Sequence, residues 1–131
     1  MNMKKKILVV EDDKTLLEMI AFRLEQEGFK VEKAEDGWQA LNIVENDKVD
    51  LIISDIMMPN VSGLSLLSVL KEFDMERIPV IVVSALDKAD VIMSAMGLGA
   101  YDFIIKPINF DELCTRITLL LNKKERTQAI H

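Results

Sequence analysis

Six polar residues follow apolar runs at places where chemistry can collect. Glu11, Asp12 and Asp13 stand consecutively after the first run, Asp55 closes a second, Ser84 a third and Lys106 a fourth. Carboxylates held a few ångströms apart repel one another and resist desolvation, so a cluster of them calls for a cation. A hard divalent ion with oxygen ligands fits this set. Mg²⁺ keeps several waters and takes one or two carboxylates plus a phosphate, which suits a sparse cluster better than an all-protein calcium cage does. Beside such an ion an aspartate can attack a phosphoryl group, because the ion offsets charge on the incoming oxygens. Asp55 stands alone and is the candidate nucleophile, whereas the adjacent Glu11 and Asp12 read as metal ligands. Lys106 supplies a point charge and Ser84 a hydroxyl to phosphoryl oxygens. Taken singly, each has a plainer reading as a helix start, a turn, a cap or a solvated charge. Three consecutive acids also leave the metal pair open at this point.

The elements that must position these residues alternate between strand-sized apolar runs and helical periodicity, the pattern of βα units and a parallel sheet. Ile7-Leu8-Val9-Val10 is a strand, followed by a helix with Leu17, Ile20 and Leu24 inward and Gly28 as its stop. Val31 begins a short peripheral strand, Asp36-Gly37 predicts a turn, and Ala40, Leu41 and Val44 mark a second helix. Leu51-Ile52-Ile53 is apolar on both faces, as an interior parallel strand should be, and leads to Asp55. Met58-Pro59 and Gly63 punctuate a loop before a third helix carrying Leu66, Leu67 and Leu70. Pro79 to Val83 forms the fourth strand. Helical spacing at Val91, Ala95 and Leu98 predicts a fourth helix over 87–98, frayed where Gly97 and Gly99 flank its last turn. Asp102 to Ile105 is the fifth strand, and Phe110, Leu113, Cys114, Ile117 and Leu121 form the stripe of a last helix. From Lys123 to His131 the chain turns polar and is expected to fray. In a doubly wound α/β sheet ligands bind beyond the carboxyl ends of the strands, and here those ends are the polar ones.

Composition narrows the function classes. The 131 residues make one domain of ordinary size, half hydrophobic and 29% charged, which argues for a folded core over disorder. Sixteen Lys and Arg against 22 Asp and Glu give a net charge of −6, opposite in sign to a nucleic-acid-binding footprint. The single cysteine, Cys114, excludes an intramolecular disulfide, and the single histidine, His131, excludes a His-rich metal site or a Ser-His-Asp triad. Lys4-Lys5-Lys6 leads into a strand pattern, and no apolar stretch exceeds strand size, so neither a signal peptide nor a membrane span is expected. The cytoplasm is the expected location. Cys114 reads as inert packing, Trp38 as an ordinary packing or partly exposed ring, and most of the methionines as core fillers.

Glu11-Asp12, Asp55 with Met57-Met58-Pro59 and Gly63, Ser84-Ala85, and Gly99-Ala100 leading to Lys106-Pro107 together resemble the receiver domain of bacterial two-component response regulators. The resemblance covers the chain from Lys5 to Asn122. It implies a five-stranded parallel sheet in the order 2-1-3-4-5 with helices on both faces, a receiver domain over 1–122 and a polar tail over 123–131. By position it implies Asp55 as phosphoacceptor. Asp12 precedes Asp55 by 43 residues, an interval usual for this family's main metal carboxylate, and Asp13 precedes it by 42. The resemblance thereby implies Glu11 and Asp12 as the metal pair, with the backbone carbonyl of Met57 completing the protein's share of the shell, and Asp13 as the residue that opens the first helix. Ser84 resembles the switch hydroxyl, Lys106 the phosphate-sensing lysine and Phe103 the aromatic switch residue. Pro107 is expected to follow a cis peptide bond.

The function implied is a signalling module, not a metabolic enzyme. It accepts a phosphoryl group on Asp55 from a sensor histidine kinase or phosphotransfer protein and acts on a downstream output domain or protein. Mg²⁺-dependent self-phosphorylation from small phosphodonors follows, and Met57 and Leu86, unable to orient a water, predict slow hydrolysis. One rival is a Mg²⁺-dependent phosphohydrolase, which usually needs a second acid two residues after its nucleophile, where this chain has Met57. Another is a receiver-like binding module that signals without phosphate. Asp102, Glu112 and Arg116 stand where one receiver subfamily pairs charges between two copies, and Ile92, Met93 and Met96 add apolar surface nearby. A phosphorylation-dependent homodimer is thereby suggested, although Ile92 and Leu98 replace two of that subfamily's charged partners and Glu112 to Arg116 is also ordinary intrahelical spacing.

Overall fold

The computed structural model describes residues 4–56, 63–72, 78–85 and 88–130. Met57, Met58, Pro59 and Leu86, to which the sequence assigns roles, lie outside the described residues. Strands and helices alternate as β1 (Lys6–Val10), α1 (Lys14–Gln26), β2 (Lys30–Ala34), α2 (Gly37–Asn46), β3 (Leu51–Asp55), α3 (Gly63–Glu72), β4 (Val80–Ser84), α4 (Ala89–Gly97), β5 (Asp102–Ile105) and α5 (Phe110–Ile130). The strands form one sheet in the order β2-β1-β3-β4-β5, and every pairing is parallel. All five carboxyl ends therefore lie on the same edge.

β3 and β4 are buried along their whole length and β1 along all but its first residue, which is why their sequences are nearly unbroken apolar runs. The edge strand β2 instead exposes Lys30 and Lys33, charges that discourage pairing with another chain. Alternate residues feed two cores. Leu8, Val10, Ile52 and Val82 pack with Ala40, Val44, Leu66, Leu70 and Ala95 of α2, α3 and α4. Ile7, Val9, Ile53 and Ile81 pack on the other face with Leu17, Ile20 and Leu24 of α1 and Leu113, Cys114, Ile117 and Leu121 of α5.

Helix ends show where the expectations needed correction. Asp36-Gly37 is no free-standing turn: Asp36 is the N-cap of α2, its Oδ1 accepting from the Gln39 N–H at 2.9 Å, while the Gln39 side chain accepts from the Glu35 N–H at 2.8 Å. The end of α4 does not fray. Gly99, at φ 102°, directs its N–H to the Met96 carbonyl and that of Ala100 to the Ala95 carbonyl, closing a Schellman motif. Gly28, at φ 95°, closes α1 in the same way, with Phe29 bonding back to Leu24. Of the predicted inner stripe of α4 only Ala95 is fully buried, and Val91 and Leu98 are half-buried against the core. The backbone of α5 stays helical to Ile130, past the predicted fraying point at Lys123, because 123–130 is rich in Lys, Glu, Arg, Gln and Ala, which favour helix. Among the described residues no helix is long and apolar enough to cross a membrane.

Candidate functional site

Parallel pairing brings the strand-end residues together from distant parts of the sequence. Glu11 follows β1, and its N–H donates to the Ala34 carbonyl at the end of β2, so the chain stays anchored to the sheet where it turns toward α1. Asp55 is the last residue of β3, and the next N–H, of Ile56, donates to Val83 of β4. Lys106 directly follows β5, with its N–H on the Ser84 carbonyl at 2.8 Å. These ties hold three side chains over one edge.

Ligand oxygens of Glu11, Asp12 and Asp55 lie within 4.8 Å of one another, with Glu11 and Asp55 buried and Asp12 exposed. The Lys106 ammonium donates to Glu11 Oε1 at 2.8 Å and to Asp55 Oδ2 at 2.9 Å, bridging the two buried carboxylates. One cation beside this group leaves carboxylate charge in excess, and an all-oxygen donor set at that spacing suits a hard divalent ion. Asp13 is separate from the cluster's work: its Oδ1 accepts from the Leu16 N–H at 3.2 Å as the N-cap of α1, while its own N–H donates to Glu11 Oε2 at 3.2 Å.

Burial pushes the Glu11 carboxyl up to about 7, against the opposing effect of its hydrogen bond from Lys106. Burial works against the charge on Lys106 as well, but its hydrogen bonds to Glu11 and Asp55 outweigh this and hold its pKa above the ordinary value. The buried Glu11 carboxyl therefore holds its proton more readily than an exposed glutamate does.

Ser84 is fully buried at the end of β4. Phe103, in β5, is half-buried and packs against the core shared by α2, α3 and α4. The Lys106-Pro107 peptide bond is cis. Arg116 joins Asp102 Oδ1 at 2.8 Å and Glu112 Oε1 at 2.5 Å within the same chain. Those three charges thus find partners without a second copy. Met93 is 73% and Trp38 63% exposed. Cys114 is buried against the α1 side of the sheet, and burial raises its thiol pKa, consistent with inert packing.

Two features of the site were not read from the sequence. The contact of Lys106 with Glu11 spans 95 residues and has no local signal. Ser54, fully buried in β3, donates its hydroxyl to the Asp55 carbonyl at 3.0 Å. Its signal was available: a hydroxyl inside an otherwise apolar central strand needs a partner.

Comparison with known proteins places this geometry. The family model described as the response regulator receiver domain matches residues 7–118. The chain is 38% identical over 122 residues to the response regulator GtcR of Aneurinibacillus migulanus, covering 92% of this chain and 49% of that protein. It spans about half the length of the curated relatives it matches. The receiver domain of the Francisella response regulator 1452 superposes with a TM-score of 0.88 at 34% identity, over 92% of this chain and 99% of that one. The response regulator TrrA of Thermotoga maritima, solved in complex with Mg²⁺-BeF, superposes with a TM-score of 0.79 at 31% identity, over 88% and 98%. A parallel sheet in the order 2-1-3-4-5, a strand-end acidic trio with a lysine bridging two of its members and a family match over most of its length lead to one conclusion: the chain belongs to the response regulator receiver domain family.

Proposed function

We propose that Asp55 accepts a phosphoryl group from a phosphohistidine on a sensor histidine kinase or phosphotransfer protein, in the cytoplasm, and that the phosphorylated domain signals to an output domain or protein. The observation that carries this reading is the Lys106 ammonium bridging Glu11 and Asp55 inside the acidic trio. An Asp55 carboxylate oxygen attacks phosphorus as the bond from phosphorus to the donor imidazole breaks, and the imidazole leaves with the electron pair. Lys106, already on Asp55 Oδ2, is placed to meet the added charge on the phosphoryl oxygens. Glu11, Asp12 and Asp55, with the Met57 carbonyl, would hold Mg²⁺. The ion would neutralise charge on the phosphoryl group, and the Mg²⁺-BeF complex of TrrA supports that assignment.

The same groups let the domain assist its own phosphorylation from a small phosphodonor and its own slow dephosphorylation, so it works as a timed switch. Ser84 turns its hydroxyl toward the new phosphoryl oxygens and Phe103 moves into the space released, a shift between two arrangements of β4, α4 and β5. Intact-mass measurement with acetyl phosphate tests the acceptor. The wild-type protein should gain one phosphoryl group only with Mg²⁺ present, and the Asp55→Asn variant should gain none; equal incorporation by the variant overturns the assignment.

A further inference from the structure

Ser54 is the one polar residue among the buried interior positions of β3 before the strand-end Asp55, and its neighbours on the sheet are Val10 of β1 and Val82 of β4. A valine or alanine there would continue the apolar core with no hydroxyl to satisfy. The hydroxyl is fully buried, and the bond it makes is to the carbonyl of Asp55 at 3.0 Å. That carbonyl belongs to the peptide by which the chain leaves the sheet, and its other end, the Ile56 N–H, is fixed on Val83 at 3.1 Å. The exit peptide is thus held from both sides at the residue bearing the reactive carboxylate.

We propose that Ser54 is a positioning residue for phosphotransfer. Its hydroxyl fixes the peptide between Asp55 and Ile56, and so sets the direction in which the Asp55 carboxylate meets Lys106 and Glu11. This rests on Asp55 being the acceptor. A small error in that direction costs rate, because in-line attack depends on the placement of the attacking oxygen. Removing the hydroxyl takes one donor from the Asp55 carbonyl, a cost that apolar burial offsets in part, so stability should change only slightly. The residue therefore trades core packing for geometry at the site.

The test compares Ser54→Ala, Ser54→Val and Ser54→Thr with wild type, using acetyl phosphate and saturating Mg²⁺, and reads the initial phosphorylation rate by intact mass and the Tm by calorimetry. Ser54→Ala and Ser54→Val should phosphorylate roughly three- to tenfold more slowly, the equivalent of one net hydrogen bond, with Tm shifted by no more than a few degrees. Ser54→Thr, which keeps the hydroxyl, should recover most of the rate. Wild-type rates in both apolar variants would overturn the proposal. So would a rate loss that tracks a fall in Tm and is not recovered by threonine. Should valine fail to fold, alanine, which only removes atoms, still decides. Asp55→Asn run alongside separates the two ideas: phosphate retained by that variant defeats the acceptor reading, whatever the Ser54 variants do.

Discussion

At the residue scale, Glu11 would link a proton to the proposed Mg²⁺. Its carboxyl is pushed by burial from an ordinary 4.5 to about 7, so the folded protein holds that proton more tightly than the unfolded chain. The contribution of Glu11 to metal-free stability is therefore full below about 4.5 and is lost as pH rises toward 7. A divalent ion held by Glu11 would displace the same proton. Calorimetric Mg²⁺ titrations should show affinity rising by up to about tenfold per pH unit below 7 and levelling off above it. A flat profile between pH 5 and 8 would mean that Glu11 does not ligate the ion. Much of this site was legible because its members are the polar residues ending apolar runs. The family resemblance set Asp13 apart from Glu11 and Asp12 as the start of the first helix, and it does cap α1. The Lys106 bridge to Glu11 was not legible, because a lysine's reach across a strand end depends on side-chain geometry that residue types do not encode. Ser54 was passed over because a short hydroxyl side chain does not interrupt an apolar run strongly enough to change the reading of a strand.

At the scale of elements, strands were easier to read than helix ends. Interior parallel strands bury both faces and announce themselves as Ile and Val runs, while a helix terminus is decided by one residue's backbone conformation. Gly97 and Gly99 look alike in sequence and act in opposite senses. Gly97 is the last residue of α4 and has open space around a built Cβ, so Gly97→Ala should stabilise by up to about 1 kcal/mol. Gly99 also has open space, but its φ of 102° means that Gly99→Ala should cost about 1–2 kcal/mol through the backbone alone. Urea unfolding of both variants checks the contrast, and equal effects would contradict the Schellman closure. The reach of α5 to Ile130 shows the complementary limit: polarity at 123–130 suggested fraying, whereas the helix-forming character of the same residues prevails.

For the whole molecule, ligand binding and stability should be one measurement. The acidic trio belongs to the folded state alone, so Mg²⁺ with beryllium fluoride should stabilise the domain by about 2.7 kcal/mol at a hundred times its Kd. Thermal scans should show the increase reversed by a chelator and absent from Asp55→Asn. An increase that survives in the variant would place the ligand elsewhere. The fold class was legible from the βα rhythm and its strand order from family resemblance, because order in a parallel sheet depends on which crossovers go to which face and no single strand records that. The acids Asp102 and Glu112 illustrate the same limit, since residue types alone did not say whether Arg116 of the same chain or a second copy would meet them.

The Lys106 bridge joins the first strand of the domain to the end of the fifth across 95 residues. A nascent chain that has made β1 to β4 carries Glu11, Asp12 and Asp55, yet lacks the lysine that bridges Glu11 and Asp55. On the proposed phosphoacceptor reading, the complete site would therefore be assembled only with the last βα unit.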